Sequence, residues 1–299
     1  MSSLIADWSA DQKSEFGKTP ITFRHGLAET GLFDDEPLAR LLDAYPAELY
    51  DINLFDFDDE GQATMRTGAR GRLPGREVLE GVKQGRIWVQ LRRAEAYYPE
   101  LGVLIAKAFA DISRQAPGFK PVQLNGQLIL SAPQAKVPFH ADAPGVALFH
   151  IRGRKRIWIY PNDEAHMPQQ GMENIALKQQ TEDLPYHRGM DDKAQIFDLE
   201  PGMAAAWPLH APHRIENQGT FNVSLSVDYQ TWGSRLTNGA HYANGLLRRW
   251  GAPVAPMHKT PMAARAGLWA ASLALKRMRL VENRIKGFER SFELGDAKA

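Results

Sequence analysis

Two histidines and an aspartate carry the most distinctive chemistry in this 299-residue chain. His140 and Asp142 flank a single alanine, and His213 follows about seventy residues later. Two imidazoles and one carboxylate on one face of a metal leave three coordination positions open, the arrangement of non-haem Fe(II) sites that activate oxygen. A His-x-Asp triplet with a distant histidine also arises by chance in chains of this length, so its surroundings decide its meaning.

Composition narrows the alternatives. A hydrophobic fraction of 43% and a charged fraction of 24% describe an ordinary globular protein. With 36 basic against 35 acidic residues the net charge is +1, which leaves no global footprint for nucleic acid. Cysteine is absent, excluding disulfides, thiolate zinc sites and thiol nucleophiles. The N-terminus lacks the basic and then apolar pattern of a secretory signal, and no apolar run approaches the roughly 20 residues that span a bilayer. No membrane association is expected, and the expected compartment is the cytoplasm. Neither a phosphate-binding glycine motif nor a Gly-x-Ser-x-Gly elbow is present.

The elements that must position the three residues fall into three regions, with no repeat or low-complexity linker. Residues 1–120 read as a mixed helical and strand region packed on the rest. Asp34-Asp35 and Pro37 open a short helix bearing Leu38, Leu41, Leu42 and Tyr45, 86–91 reads as a strand, and 94–115 reads as one long helix. Residues 121–235 change to short β runs at 122–130, 146–159, 194–199, 204–207 and 221–229, the pattern of a sandwich or barrel. Residues 240–299 are expected to be helical, with Leu268, Ala271, Leu275, Met278, Val281, Ile285, Phe288 and Phe292 at three- and four-residue steps. Such a stripe packs on the parent domain or forms a homodimer seam.

The run after the triplet adds a second feature. Strict alternation places Ala147, Phe149, Ile151, Gly153, Lys155, Ile157 and Ile159 on one face, and Leu148, His150, Arg152, Arg154, Arg156, Trp158 and Tyr160 on the other. Lys155 then points with apolar neighbours, where an ammonium is costly unless an anion pairs with it. A bulge at Gly153 would instead turn Lys155 outward into a basic turn, and alternation alone does not choose.

The stretches His140-Ala-Asp142, Gly153-Arg-Lys155-Arg-Ile-Trp-Ile-Tyr-Pro161, Pro201-Gly202 and Pro208, then His213-Arg-Ile-Glu-Asn217 and Val223-Ser-Leu-Ser-Val227, resemble the JmjC/cupin-like Fe(II)- and 2-oxoglutarate-dependent oxygenases, especially the asparaginyl-hydroxylase-like bacterial branch. The likeness covers about a hundred of the 299 residues. It implies a mainly β protein with flanking helices, an α+β chain built on a double-stranded β-helix of the jelly-roll or cupin type. It further implies that His140, Asp142 and His213 are metal ligands and catalytic residues, and that Lys155 pairs with the distal carboxylate of 2-oxoglutarate. The resemblance also selects His213 over His210, because the family's distal histidine lies five residues after a proline, here Pro208, and opens a strand of the form His-Arg-Ile-Glu-Asn.

Departures from the family pattern occur at Val137, Val146 and Asp228, where hydrogen-bonding residues help hold the cosubstrate. Asn125, with Gln123 and Gln127 on the same run, is the expected substitute donor. The expected function is therefore hydroxylation of a C–H bond in a peptide, protein side chain or small molecule, using Fe(II), 2-oxoglutarate and O2 and releasing succinate and CO2. The departures leave open a metal-binding cupin enzyme that does not use 2-oxoglutarate, and a non-catalytic metal- or ligand-binding regulator. His150, His166, His187, His241 and His258 read as surface residues.

Overall fold

The computed structural model describes residues 3–58, 63–85, 87–280, 283–284 and 290–294. Its N-terminal region comprises α1 (Ala10–Glu15), β1 (Ile21–Arg24), α2 (Asp35–Ala44), β2 (Tyr50–Phe57), β3 (Ala63–Ala69), α3 (Gly75–Gln84), β4 (Ile87–Arg92), α4 (Ala94–Tyr97) and α5 (Pro99–Gln115). Four strands follow, β5 (Gln123–Ser131), β6 (Lys136–His140), β7 (Gly145–Arg152) and β8 (Lys155–Ile159), then helix α6 (Gln169–Ala176). Four more are β9 (Gln195–Leu199), β10 (Met203–Ala206), β11 (His213–Asn217) and β12 (Asn222–Gln230). Helices α7 (Trp232–Arg249) and α8 (Met262–Arg277) and strand β13 (Arg290–Glu293) complete the described chain.

Strands β5 to β12 are dealt into two facing antiparallel sheets, β10-β7-β12-β5 and β6-β11-β8-β9. This is the double-stranded β-helix that the resemblance implies. Among the described residues β1 extends the first sheet at one edge and β4-β2-β3-β13 extend it at the other.

β7 is covered on both faces, which explains why residues 145–149 are apolar without alternation. Val146 and Leu148 join Ile157, Ile159, Trp207 and Ile215 inside the barrel. Ala147, Phe149 and Ile151 face the other way, into a core shared with Leu101, Ile105 and Phe109 of α5. Burying each such large side chain stabilises the fold by roughly 1.5–3 kcal/mol.

Three expectations need correction. The run 146–159 is two strands in different sheets, because Gly153 turns the chain with φ +85°. A Cβ there would also collide with the Phe221 carbonyl, so glycine is required. Phe149 and Lys155 consequently do not share a face. The helix expected over 94–115 breaks before Pro99, which lacks an amide hydrogen and holds Tyr98 out of the helical region at φ −130°, ψ 84°. The C-terminal stripe is not one helix: α8 ends at Arg277, and Phe292 belongs to β13, which pairs in parallel with β3 and packs its ring over Gly68. Val281, Ile285 and Phe288 lie outside the described residues. Among the described residues no helix is long and apolar enough to cross a membrane.

Candidate metal centre

β6 and β11 lie side by side and set His140 directly opposite His213. Asp142, just beyond the end of β6, completes a cluster whose three ligand atoms lie within 4.8 Å of one another. His140 Nε2 is 3.6 Å from Asp142 Oδ1, and His213 Nε2 is 3.3 Å from Oδ2. On the far side of each ring, His140 Nδ1 meets the Pro138 carbonyl at 2.8 Å and His213 Nδ1 meets the Ala211 carbonyl at 3.2 Å. A carbonyl only accepts, so each Nδ1 carries a hydrogen, which leaves Nε2, the atom facing Asp142, as the nitrogen able to ligate. Trp207 packs against His213 with ring centroids 4.4 Å apart, which restrains the imidazole plane.

Burial, reinforced by His140, pushes His213 well below the ordinary histidine range, so its ring is neutral. Burial likewise pushes the Asp142 carboxyl up. Two imidazole nitrogens and one carboxylate oxygen converging on a point are a donor set for a divalent transition metal. The orientation of both Nδ1 atoms toward carbonyls is the outer-shell arrangement that such ligands adopt. The residues present therefore fit an Fe(II) ion.

A cavity of about 330 Å³ opens on this cluster. Val137, Val146, Leu148, Trp207 and Ile215 give it an apolar side. Gln127 and Ile129 of β5 and Ser226 and Asp228 of β12 line the larger sheet. Sequence reasoning did not single out the remaining walls. Asp51, Asn53, Trp88, Gln90 and Arg92 come from the added strands β2 and β4, and Thr181, Glu182 and Asp183 come from a loop. That loop runs beside β6 as a short extra strand, with Ala141 N donating to the Glu182 carbonyl and Leu184 N to that of Phe139, each at 3.1 Å. The Glu182 carboxylate accepts from Ala143 N at 3.1 Å, and burial, with Asp142 nearby, raises its pKa.

Asp228 stands opposite Val146 on one side and Asn125 on the other. Burial first, and the nearby Asp142 second, push its pKa to about 8, so it is mostly protonated at pH 7. Gln127 Nε2 donates to it at 2.8 Å, and Gln90 donates in turn to Gln127. Asn125 does not line the cavity; its amide oxygen accepts from Gln123 at 3.4 Å, and the neighbouring Gln127 occupies the wall instead.

Lys155 is 4% exposed and alternates with Ile157 and Ile159, which places it on the barrel's interior face. Its cross-strand partner is Asn217, whereas Ile159 is opposite His213, so Lys155 lies four residues further back along the same face. It is not among the residues lining the cavity. Among the described residues its Nζ makes no hydrogen bond or ion pair, and burial pushes its pKa down to about 7.

Three histidines expected at the surface are buried. His150 pairs with the Ser224 hydroxyl at 3.1 Å and the Gly153 carbonyl at 2.9 Å, and burial, with Lys155 second, pushes it to about 3. His166 bonds Asp163 at 2.7 Å, and His241 packs against His210. His150 and His241 find Ser224 and His210 in distant segments, which no local pattern announces, whereas the partner of His166 lies only three residues back. His187 and His258 are exposed. His210 is buried too, but its Nε2 is turned to Asn238, 2.7 Å away, and the triad takes His213.

No protein-family model matches the chain, and no curated protein matches it by sequence. Solved structures do match its fold. An X-ray structure of Escherichia coli YcfD superposes with a TM-score of 0.52 at 15% identity, covering 94% of this chain and 70% of that one. A structure of YcfD described as a ribosomal oxygenase from Escherichia coli, in complex with cobalt and 2-oxoglutarate, gives 0.51 at 14% identity, covering 93% and 68%. At these identities the likeness is one of fold.

Proposed function

We propose that this chain, a JmjC-type fold with two histidines and an aspartate converging at a cavity, is an Fe(II)- and 2-oxoglutarate-dependent oxygenase. It hydroxylates a C–H bond of a peptide or protein side chain, or of a small molecule, and releases succinate and CO2. The observation that carries this reading is the orientation of both imidazoles, each anchored at Nδ1 by a carbonyl, which turns two Nε2 atoms and one carboxylate toward the same point.

His140, Asp142 and His213 hold the Fe(II), and Lys155 supplies the cation for the far carboxylate of 2-oxoglutarate, the anion its buried amine lacks. The YcfD complex with cobalt and 2-oxoglutarate supports pairing this fold with these two ligands. Together the metal and cosubstrate supply oxidation by O2, chemistry that side chains alone do not provide. The chain's own share is to bind, orient and exclude water. Val137, Val146 and Trp207 keep the apolar side dry, and Asp228 holds its proton while accepting from Gln127. Asp51, Asn53, Gln90 and Arg92 offer both donors and acceptors, a wall suited to a peptide.

Residues 121–235 form the catalytic core in this reading, and the protein works in the cytoplasm. It is a homodimer through its C-terminal helices, consistent with the exposed Leu273, Met278 and Leu280. Sedimentation of a chain truncated before Pro261 tests the dimer. For the active site, anaerobic titration with Fe(II) and then 2-oxoglutarate is expected to show the second ligand binding more tightly after the first. Metal binding without affinity for 2-oxoglutarate would favour a regulatory role.

A further inference from the structure

The loop at 208–212 that delivers His213 is held from outside the barrel. Asn238 on α7 donates from Nδ2 to the Ala143 carbonyl at 2.8 Å, one residue past Asp142. Its Oδ1 lies 2.7 Å from His210 Nε2, three residues before His213. Because a carbonyl only accepts, the contact to Ala143 fixes the amide's orientation, and His210 must be the donor in the second bond. His210 is 5% exposed and has φ +64°, a left-handed conformation rare for a residue with a Cβ. Its ring therefore needs a partner to stay there. Asn238 provides one, and His241, one turn further along the same face of α7, packs edge-on with centroids 5.4 Å apart. α7 is itself a firm support. A capping box of Thr231 and Ser234 starts it directly after β12, and Trp269 of α8 packs closely at Gly239.

We infer that Asn238 is a positioning residue for the metal centre: its one amide ties the loop carrying Asp142 to the loop carrying His213 and so sets the separation of those two ligands. Asn238 acts through the two loops rather than on the metal. The inference rests on the metal-centre reading given above.

Co(II) binding to the full chain tests it. Visible absorption reports both affinity and the coordination geometry of the bound ion, while urea unfolding of the metal-free protein reports the fold. Asn238→Ala is expected to weaken Co(II) binding about ten- to a hundredfold, the usual cost of losing an outer-shell contact, and to alter the spectrum. Asn238→Asp keeps the acceptor for His210 but loses the donor to Ala143, and is expected to fall between. His210→Gly tolerates the left-handed backbone and cuts the same link from the other side. Combined with Asn238→Ala, it is expected to weaken binding no further than the alanine variant alone. Unchanged Co(II) affinity and spectrum in folded Asn238→Ala would overturn the inference, and if that variant does not fold, His210→Gly decides by the same readout. Wild-type protein that binds no Co(II) overturns the metal centre and this inference together; equal binding by wild type and variant overturns the inference alone.

Discussion

Lys155 and His213 share one interior face of the smaller sheet, His213 opposite Ile159 and Lys155 four residues back along the same strand. A buried amine without an anion thus lies on the same interior face as the imidazole that completes the triad. Replacing Lys155 with methionine keeps the volume and removes the charge. Steady-state kinetics on Lys155→Met are expected to show the KM for 2-oxoglutarate raised more than about tenfold, a loss of ~1.4 kcal/mol or more. Co(II) affinity is expected to stay within about twofold of wild type. A KM close to wild type would remove Lys155 from the cosubstrate site.

The same amine makes the stability of the ligand-free protein depend on pH. In the folded chain Lys155 loses its proton near pH 7, whereas in the unfolded chain it holds it up to the ordinary value of 10.5. Between these values the unfolded state binds more protons, so stability rises as pH rises from about 7 toward 10.5 and is lost as pH falls back. Urea unfolding of wild type against Lys155→Met is expected to show this slope in the first and not in the second. Identical slopes would mean that Lys155 is not desolvated.

Asp228 acts in the opposite sense and in a lower window. Its folded-state pKa of about 8 lies above the ordinary 3.8, so the folded state keeps a proton that the unfolded state has released. Stability of the metal-free protein from this group is present at low pH and declines as pH rises through that window. Asp228→Asn is expected to flatten the decline and to be more stable than wild type at pH 8, as read from urea midpoints. A less stable asparagine variant at that pH would show that the carboxylate is ionised and partnered.

At Gly153 the chain leaves one sheet for the other with φ +85°, and a Cβ would meet the Phe221 carbonyl. Gly153→Ala is expected to destabilise the protein by about 1–3 kcal/mol, through left-handed strain and that collision. Because β8 starts two residues later, 2-oxoglutarate affinity is expected to fall with it. A change below about 0.5 kcal/mol in urea unfolding would contradict the corner geometry.

His140 and Asp142 were legible as a pair because ligand chemistry depends on residue type and short spacing, whereas the distant His213 was picked out, over His210, by the family pattern after Pro208. The burial of Lys155 was legible too, but by a different route from simple alternation, since Gly153 reverses the faces between Ile151 and Lys155. The polar wall of Asp51, Asn53, Gln90 and Arg92 was not legible. It exists because β4 pairs with β5 and carries β2 beside it, a long-range register that no local pattern encodes. Asn125 read as a cosubstrate donor because β5 alternates, yet Gln127 on that strand is the residue that reaches the cavity. Phe292 fitted a helical stripe by period alone, but pairing with β3 makes it part of a strand.

The most direct test is oxygen-dependent conversion of 2-oxoglutarate to succinate by the purified full-length chain supplied with Fe(II). Slow succinate formation without added substrate is expected in wild type and is expected to vanish in His140→Ala, Asp142→Ala and His213→Ala. Succinate formed at the wild-type rate by any of the three, or by none of the proteins including wild type with candidate peptides present, would contradict the assignment.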